Sequence, residues 1–259
     1  MDRLYSDLNR RTLARTDPVS FLYGYENPLD REIVALISSG LAYGRVIQIA
    51  RSVSRVLAGM PHPQEMASRG DLDQLARTLR GFRHRFTTSD EVVALLQGIR
   101  GVVHRYGSLK ECMMAGLQQR DTTTLDALKR FVTELNPQGH ATSLLASPML
   151  GSACKRLHLF LRWLVRHDDV DPGGWEDVGA WRLVVPMDTH MFRVATRLGL
   201  TLRSCADGAA ALEVTGAFRA VRPDDPVRYD FALTRLAMAE DGAEDELVSQ
   251  WHGRESRRD

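Results

Sequence analysis

Apolar residues recur every three or four positions along nearly the whole chain, and no stretch shows the regular period-two alternation of a half-buried strand. A chain patterned in this way has helix faces to bury and no sheet faces, so the sequence predicts an all-α protein. A polar first helix is expected over residues 2–15, ended by Asp17-Pro18, and an amphipathic one from Pro28 or Leu29 through Ile33, Leu36 and Ile37. Gly40 and Gly44 interrupt the pattern. Val46, Ile47, Ile49, Ala50, Val53, Val56 and Leu57 resume it, and Pro61 and Pro63 break it again. Further helices are expected near 63–68, 71–80, 89–106, 108–118 and 123–135, followed by a turn at Asn136-Pro137-Gln138-Gly139. The chain has no internal repeat and no low-complexity segment.

With 259 residues and 44% apolar content, the chain can bury a full core as one large or two closely packed domains. No apolar run approaches membrane-spanning length and residues 1–8 carry no apolar signal region, which predicts a cytoplasmic protein with no membrane partner. Cys112, Cys154 and Cys205 are isolated and odd in number, which argues against a disulfide framework and a structural zinc site. His167, Asp168 and Asp169 resemble a ligand cluster only superficially. Their contiguity beside Pro172-Gly173-Gly174 favours an exposed loop, so neither metal nor cofactor is expected.

The formal net charge is only +1, and nothing in the bulk composition demands nucleic acid. The local distribution says more. Lys155, Arg156, Arg162 and Arg166 lie in the acid-free stretch 149–166, and Arg77, Arg80, Arg83 and Arg85 form a second cluster. Residues 167–181 then carry five acids and no lysine or arginine. Solvated faces would show the same pattern, but a basic helix beside an acidic loop can also present one side to phosphates.

Of 34 basic residues only three are lysine: Lys110, Lys129 and Lys155. Lys155 follows the turn Leu150-Gly151-Ser152-Ala153-Cys154 and opens the strongly apolar helical stretch 157–165. Apolar burial and the positive end of a helix both disfavour an ammonium, so an amine here can serve as a nucleophile, which arginine cannot. A solvated helix-start lysine would read identically. Asp188 lies in Pro186-Met187-Asp188-Thr189-His190-Met191-Phe192-Arg193-Val194, where it is a good N-cap for a helix that Gly199 closes.

That segment, running on to Arg197-Leu198-Gly199-Leu200, resembles the aspartate motif of the helix-hairpin-helix DNA glycosylase superfamily. Upstream, Leu150-Gly151-Ser152-Ala153-Cys154-Lys155 is similar to the end of that superfamily's Leu-Pro-Gly-x-Gly-x-Lys hairpin, with Met149 in place of the proline and Ala153 in place of the second glycine. The wide gap between lysine and aspartate is similar to the archaeal-type 8-oxoguanine glycosylase branch. From about Asp17 to Met238 the chain also resembles a bacterial family catalogued as a domain of unknown function, on segments such as Phe160-Leu161-Arg162-Trp163 and 225–233.

The resemblance implies a two-lobed helical fold, with residues 30–135 as one lobe, residues 1–29 and 136–250 as the other, and 251–259 as a frayed tail carrying Arg254, Arg257 and Arg258. It implies a monomeric, nucleoid-associated DNA glycosylase and AP lyase of base-excision repair, acting on damaged duplex with an oxidised purine. Lys155 would be the Schiff-base nucleophile and Asp188 the carboxylate that stabilises the sugar cation and takes the lysine proton. The three cysteines exclude the four-cysteine iron-sulfur cluster that some members carry. Gly151, Ser152, Arg156 and Arg162 would contact DNA together with Tyr43 and Arg45 of a wedge loop, in which Tyr43 or Leu41 fills the vacated stack; both are equally good core residues. Phe160, Trp163 and Trp181 would line the base pocket, with Trp175 close by in sequence. Asp225-Pro226 reads as a helix cap, and Tyr229 and Asp230 on that helix would reach the pocket unless they serve a buried hydrogen bond of the fold. Two rivals are a non-catalytic helix-hairpin-helix DNA-binding module and a same-fold enzyme acting on RNA or a modified nucleoside.

Overall fold

The helical periodicity is realised over most of the chain. A computed structural model describes residues 1–238 and 243–255. Helix α1 (Asp2–Leu8) and two 3-10 segments, Arg11–Ala14 and Pro18–Gly24, precede α2 (Pro28–Gly40). The single first helix expected over 2–15 is therefore broken: Asn9 leaves helical geometry and Arg10 is extended (φ −125°, ψ 136°). No residue of α1 is buried, so no apolar stripe holds a longer helix in place. Next come α3 (Val46–Ala58), α4 (Pro63–Arg69), α5 (Leu72–Thr78), α6 (Ser89–Tyr106), α7 (Leu109–Gly116) and α8 (Leu125–Leu135), all close to their expected ranges. The C-terminal part holds α9 (Lys155–Val165), α10 (Thr189–Arg197), α11 (Gly208–Val221), α12 (Asp230–Met238) and α13 (Ala243–Glu255).

Two strands depart from an all-α pattern. β1 (Arg83–His84) and β2 (Thr87–Thr88) pair antiparallel across a two-residue turn of Arg85 and Phe86. Strands of two residues are too short for alternation to be legible.

Helix α2 is central. Every residue from Glu32 to Gly40 is buried, so it is enclosed on all sides where its periodicity suggested one exposed face. It packs on α9, α4, α7 and the Pro18–Gly24 segment. Glu32 closes the start of α7, accepting from the Leu109 amide at 2.7 Å and the Lys110 amide at 3.2 Å. Burial pushes its carboxyl up to about 7 despite those bonds. Helix α6 crosses α8 at Gly98, where a Cβ would lie 1.8 Å from the Leu135 carbonyl oxygen, so only glycine allows this approach.

The buried side chains form one connected core that includes Ile33, Leu96 and Phe131 as well as Leu22, Phe160 and Val194. Helix α13 continues past Trp251 to Glu255, while residues 256–259 of the expected frayed tail, Arg257 and Arg258 among them, lie outside the described residues. No described helix is long and apolar enough to cross a membrane.

Candidate active site

The site is built where the amino-terminal ends of two helices meet. On the first side the chain comes through a 3-10 turn, Pro148–Leu150, capped by Ser147, and reverses at Gly151 (φ 73°, ψ 7°). No α-helix stands immediately before the turn, since α8 already ends at Leu135; only the second helix of the expected hairpin is regular. Ser152 Oγ accepts from the Cys154 amide at 3.2 Å, and Cys154 itself is left-handed (φ 45°), an uncommon state for a residue with a Cβ. The Gly208 amide donates to the Gly151 carbonyl at 3.0 Å, and a Cβ on Gly208 would come within 3.1 Å of the Ser152 carbonyl oxygen. The turn is thus fixed from outside, and Lys155 becomes the first residue of α9.

On the second side the extended segment 183–187 is buried, and its Val185 amide is held by Thr215 Oγ1 of α11 at 3.0 Å. Asp188 then caps α10, accepting from the Met191 amide through Oδ1 at 2.8 Å. Its other oxygen, Oδ2, faces Lys155 Nζ at 2.8 Å. The apolar stretch and helix start disfavour a cation at this place; the structure sets a carboxylate across from the amine, which offsets that unfavourable placement. Burial works to raise the Asp188 carboxyl, but the Lys155 ammonium, with the Met191 amide bond, overcomes it and holds the group below the usual aspartate range.

The lysine side chain keeps 35% of its exposure and the aspartate 16%, so the pair stands at a surface opening rather than in the core. One oxygen of Asp188 is committed to the helix, which fixes the other towards the amine.

Beneath the pair lies a buried ion network. Arg162 is sandwiched between Asp171, at 3.1 Å, and Asp230, and Arg166 joins Asp168 at 2.7 Å, Asp171 at 2.5 Å and Asp225 at 3.0 Å. Burial raises Asp230 to about 6, with the Arg162 cation pulling the other way and the charges of Asp188 and Lys155 also felt. Arg162 is 2% exposed, so the expected phosphate contact is not available to it. Asp225 is an acid partner here and not a cap; α12 starts only at Asp230. Asp168 is drawn into the same network and accepts from Tyr5 Oη at 2.9 Å, leaving only His167 and Asp169 of the expected loop fully exposed.

Most of the expected base-stacking residues are core residues as well. Phe160 is fully enclosed between Phe131 at 5.7 Å and Trp175 at 5.2 Å. Trp163 is equally buried, and Tyr229 is a core ring whose hydroxyl donates to Asp2 at 2.9 Å, fastening α1 to α12. These three, with Asp230, cannot line an open pocket. Trp181 has an accessible face and lies against the Arg182 guanidinium at 4.0 Å. Gly151, Ser152 and Arg45 are exposed.

Arg156 has a different duty from the phosphate contact expected of it. Its guanidinium donates to the Gly40 carbonyl at 2.5 Å and the Ser143 carbonyl at 2.7 Å and covers the Tyr43 ring at 4.9 Å. Tyr43 is itself pinned, donating to the His84 carbonyl at 2.8 Å and lying 2.7 Å from Thr87 Oγ1. Neither Tyr43 nor the buried Leu41 is free to leave its place.

A family model described as "Protein of unknown function (DUF2400)" matches residues 17–239. The chain belongs to this family. The DUF2400 match contains Lys155, Asp188 and the whole arginine-aspartate network. No curated protein and no solved structure matches the chain.

Proposed function

We propose that this DUF2400 protein is a bifunctional DNA glycosylase and lyase that removes a damaged base, an oxidised purine such as 8-oxoguanine, through a Schiff base on Lys155. The observation that carries the reading is the 2.8 Å contact between the amine of a partly exposed lysine side chain and a carboxylate oriented by its own helix cap. In the proposed reaction, cleavage of the bond between base and C1′ builds positive charge on the sugar, which the Asp188 carboxylate stabilises. Asp188 accepts a proton from the Lys155 ammonium, and the free amine attacks C1′. The base departs with the electron pair of the broken bond; the adduct nitrogen then gives one of its two protons to O4′ as the sugar ring opens, and its lone pair closes a protonated C=N bond to C1′. That bond acidifies the C2′ proton; its removal expels the 3′ phosphate, and water then releases the enzyme. Arginine at position 155 would keep the charge but lack a free electron pair at neutral pH.

The test is borohydride trapping on oligonucleotides carrying single oxidised, deaminated or abasic sites. The wild-type protein is expected to give a covalent adduct, with Lys155→Arg and Lys155→Gln giving none. Adduct formation by Lys155→Arg would move the nucleophile to another amine. No adduct on any substrate would leave a DNA-binding module without chemistry.

A further inference from the structure

The hairpin of β1 and β2 ends in an aromatic side chain that the fold holds out to solvent. Phe86 is 59% exposed, and one of its faces stacks on Tyr43 with ring centres 5.0 Å apart and planes 13° from parallel. Tyr43 is backed on another side by the Arg156 guanidinium and edge-on by His84, with centroids 4.6 Å apart. His84 is buried and clamped, Nδ1 to Ser52 Oγ at 2.9 Å and Nε2 to the Tyr43 carbonyl at 2.9 Å. Thr87 Oγ1 lies 2.5 Å from Ser143 Oγ, tying the hairpin to the segment that leads into the Gly151 turn. The result is a stack of Arg156, Tyr43 and Phe86 in which every layer but the last is hydrogen-bonded in place. Arg156 adjoins Lys155 in the chain, so the stack stands on the helix that carries the amine.

The surroundings of Phe86 select a ligand. Arg85 and Arg83 on the hairpin and Arg45 on the neighbouring loop are exposed, and none of them pairs with an acid among the described residues. Residues 74–89 contain Arg77, Arg80, Arg83 and Arg85 and no carboxylate. Arg85 adopts a left-handed backbone (φ 55°) that turns Phe86 outward, and Gly44 (φ 93°) passes beneath it where a Cβ would meet Arg85 Cδ at 3.2 Å. A largely exposed aromatic ring with the Arg85 guanidinium 6.0 Å from its centre, and with the exposed, acid-free Arg83 and Arg45 on the same hairpin and the neighbouring loop, suits a polyanion that offers flat stacking surfaces. Nucleic acid offers both halves of that match, phosphates for the guanidinium groups and base faces for the ring.

We propose that Phe86, supported from behind by Tyr43, enters the DNA duplex and fills the space left by the base that is withdrawn. This rests on the glycosylase reading above, and it transfers the wedge role from Tyr43 to the hairpin tip. Tyr43 is the platform. Arg83, Arg85 and Arg45 hold the flanking phosphates while Phe86 takes over stacking with the neighbouring pairs. No covalent step is involved.

The test compares binding of an intact duplex with binding of the same duplex containing one tetrahydrofuran abasic site, which has no C1′ aldehyde chemistry and so is independent of Lys155. Wild type is expected to prefer the tetrahydrofuran duplex. Phe86→Ala should lose that preference by about fivefold or more, the scale of one aromatic-base stack, while its affinity for intact duplex stays within about twofold. Phe86→Trp should restore it, and matched circular dichroism melts should show all three proteins folded. Three results would each overturn the proposal: no preference in wild type, preference retained by Phe86→Ala, or equal loss by Phe86→Ala on both duplexes. Borohydride trapping by wild type on a natural abasic site is run in parallel. Its absence would remove Lys155 as a Schiff-base nucleophile, while the tetrahydrofuran comparison judges the role of Phe86 separately, because the two experiments share no chemistry.

Discussion

Replacing Arg162 with methionine tests whether the basic stretch of α9 is a core device or a phosphate-binding face. The substitution keeps a long apolar side chain but removes, among the described residues, the sole cation that pairs with Asp230 and one of two on Asp171, in a place where the arginine is 2% exposed. Stripping one partner from a buried ion pair costs about 3–5 kcal/mol, because the carboxylate left behind has neither water nor a counter-charge. For a chain of this size each kcal/mol lowers the melting temperature by about 2–4 °C, so the variant should melt roughly 10 °C or more below wild type. Asp230 can relieve part of the strain by taking up a proton. Its pKa is already raised from 3.8 to about 6 by burial. A raised folded-state pKa means that the folded state binds more protons than the unfolded one, so this residue's contribution falls as pH rises from about 4 to 6; the deficit of Arg162→Met should therefore be larger at pH 8 than at pH 5. Pairing the change with Asp230→Leu should recover much of the loss, since an apolar pair replaces an orphaned charge. Differential scanning calorimetry at both pH values measures these effects, and fluorescence anisotropy at graded salt gives the DNA-binding slope. A melting temperature within 2 °C of wild type, together with a slope flattened by about one unit, would refute the assignment and return Arg162 to the DNA surface.

Asp188→Asn should retain helix α10, because asparagine caps as well as aspartate does, yet lose turnover by about 10²–10³-fold through the missing negative charge; single-turnover excision kinetics measure this, and an unchanged rate would remove Asp188 from the chemistry. Because the Asp188 carboxyl is held below its ordinary value of 3.8 mainly by Lys155 acting against burial, its ion pair contributes stability above that pH and loses it only as pH falls through the lowered folded-state value. Acid denaturation of wild type and Lys155→Met should therefore diverge above the aspartate range and converge in stronger acid. Gly98→Ala should force α6 away from α8, since the added carbon would sit 1.8 Å from the Leu135 carbonyl, and cost about 1–3 kcal/mol or more; urea midpoints give the figure, and an unaltered midpoint would show that the crossing is not tight.

How much was legible in the sequence differs by element. Helices α2, α3, α6 and α8 were readable to within a few residues because apolar period, N-caps and glycine or proline stops all act within one turn of the backbone. The same local rules identified Asp188 as the cap of α10 and Lys155 as the opening of α9. What they could not supply is which charges find each other across the chain. Arg156, Arg162 and Arg166 look alike in sequence, yet one clasps backbone carbonyls near Tyr43 and two lie buried among four aspartates. Phe160, Trp163 and Tyr229 are apolar at helical spacing whether they face a ligand or the core, and only the packing of α8, α12 and the Trp175 loop decided for the core. Phe86 left no periodic trace at all, since its hairpin spans two residues per strand and its exposure depends on Tyr43 beneath it. Hydrophobic periodicity is a property of neighbours along the backbone and is written in the chain; the pairing of Lys155 with Asp188, and the burial of the arginines below them, are long-range contacts whose energies exist only once the helices are packed.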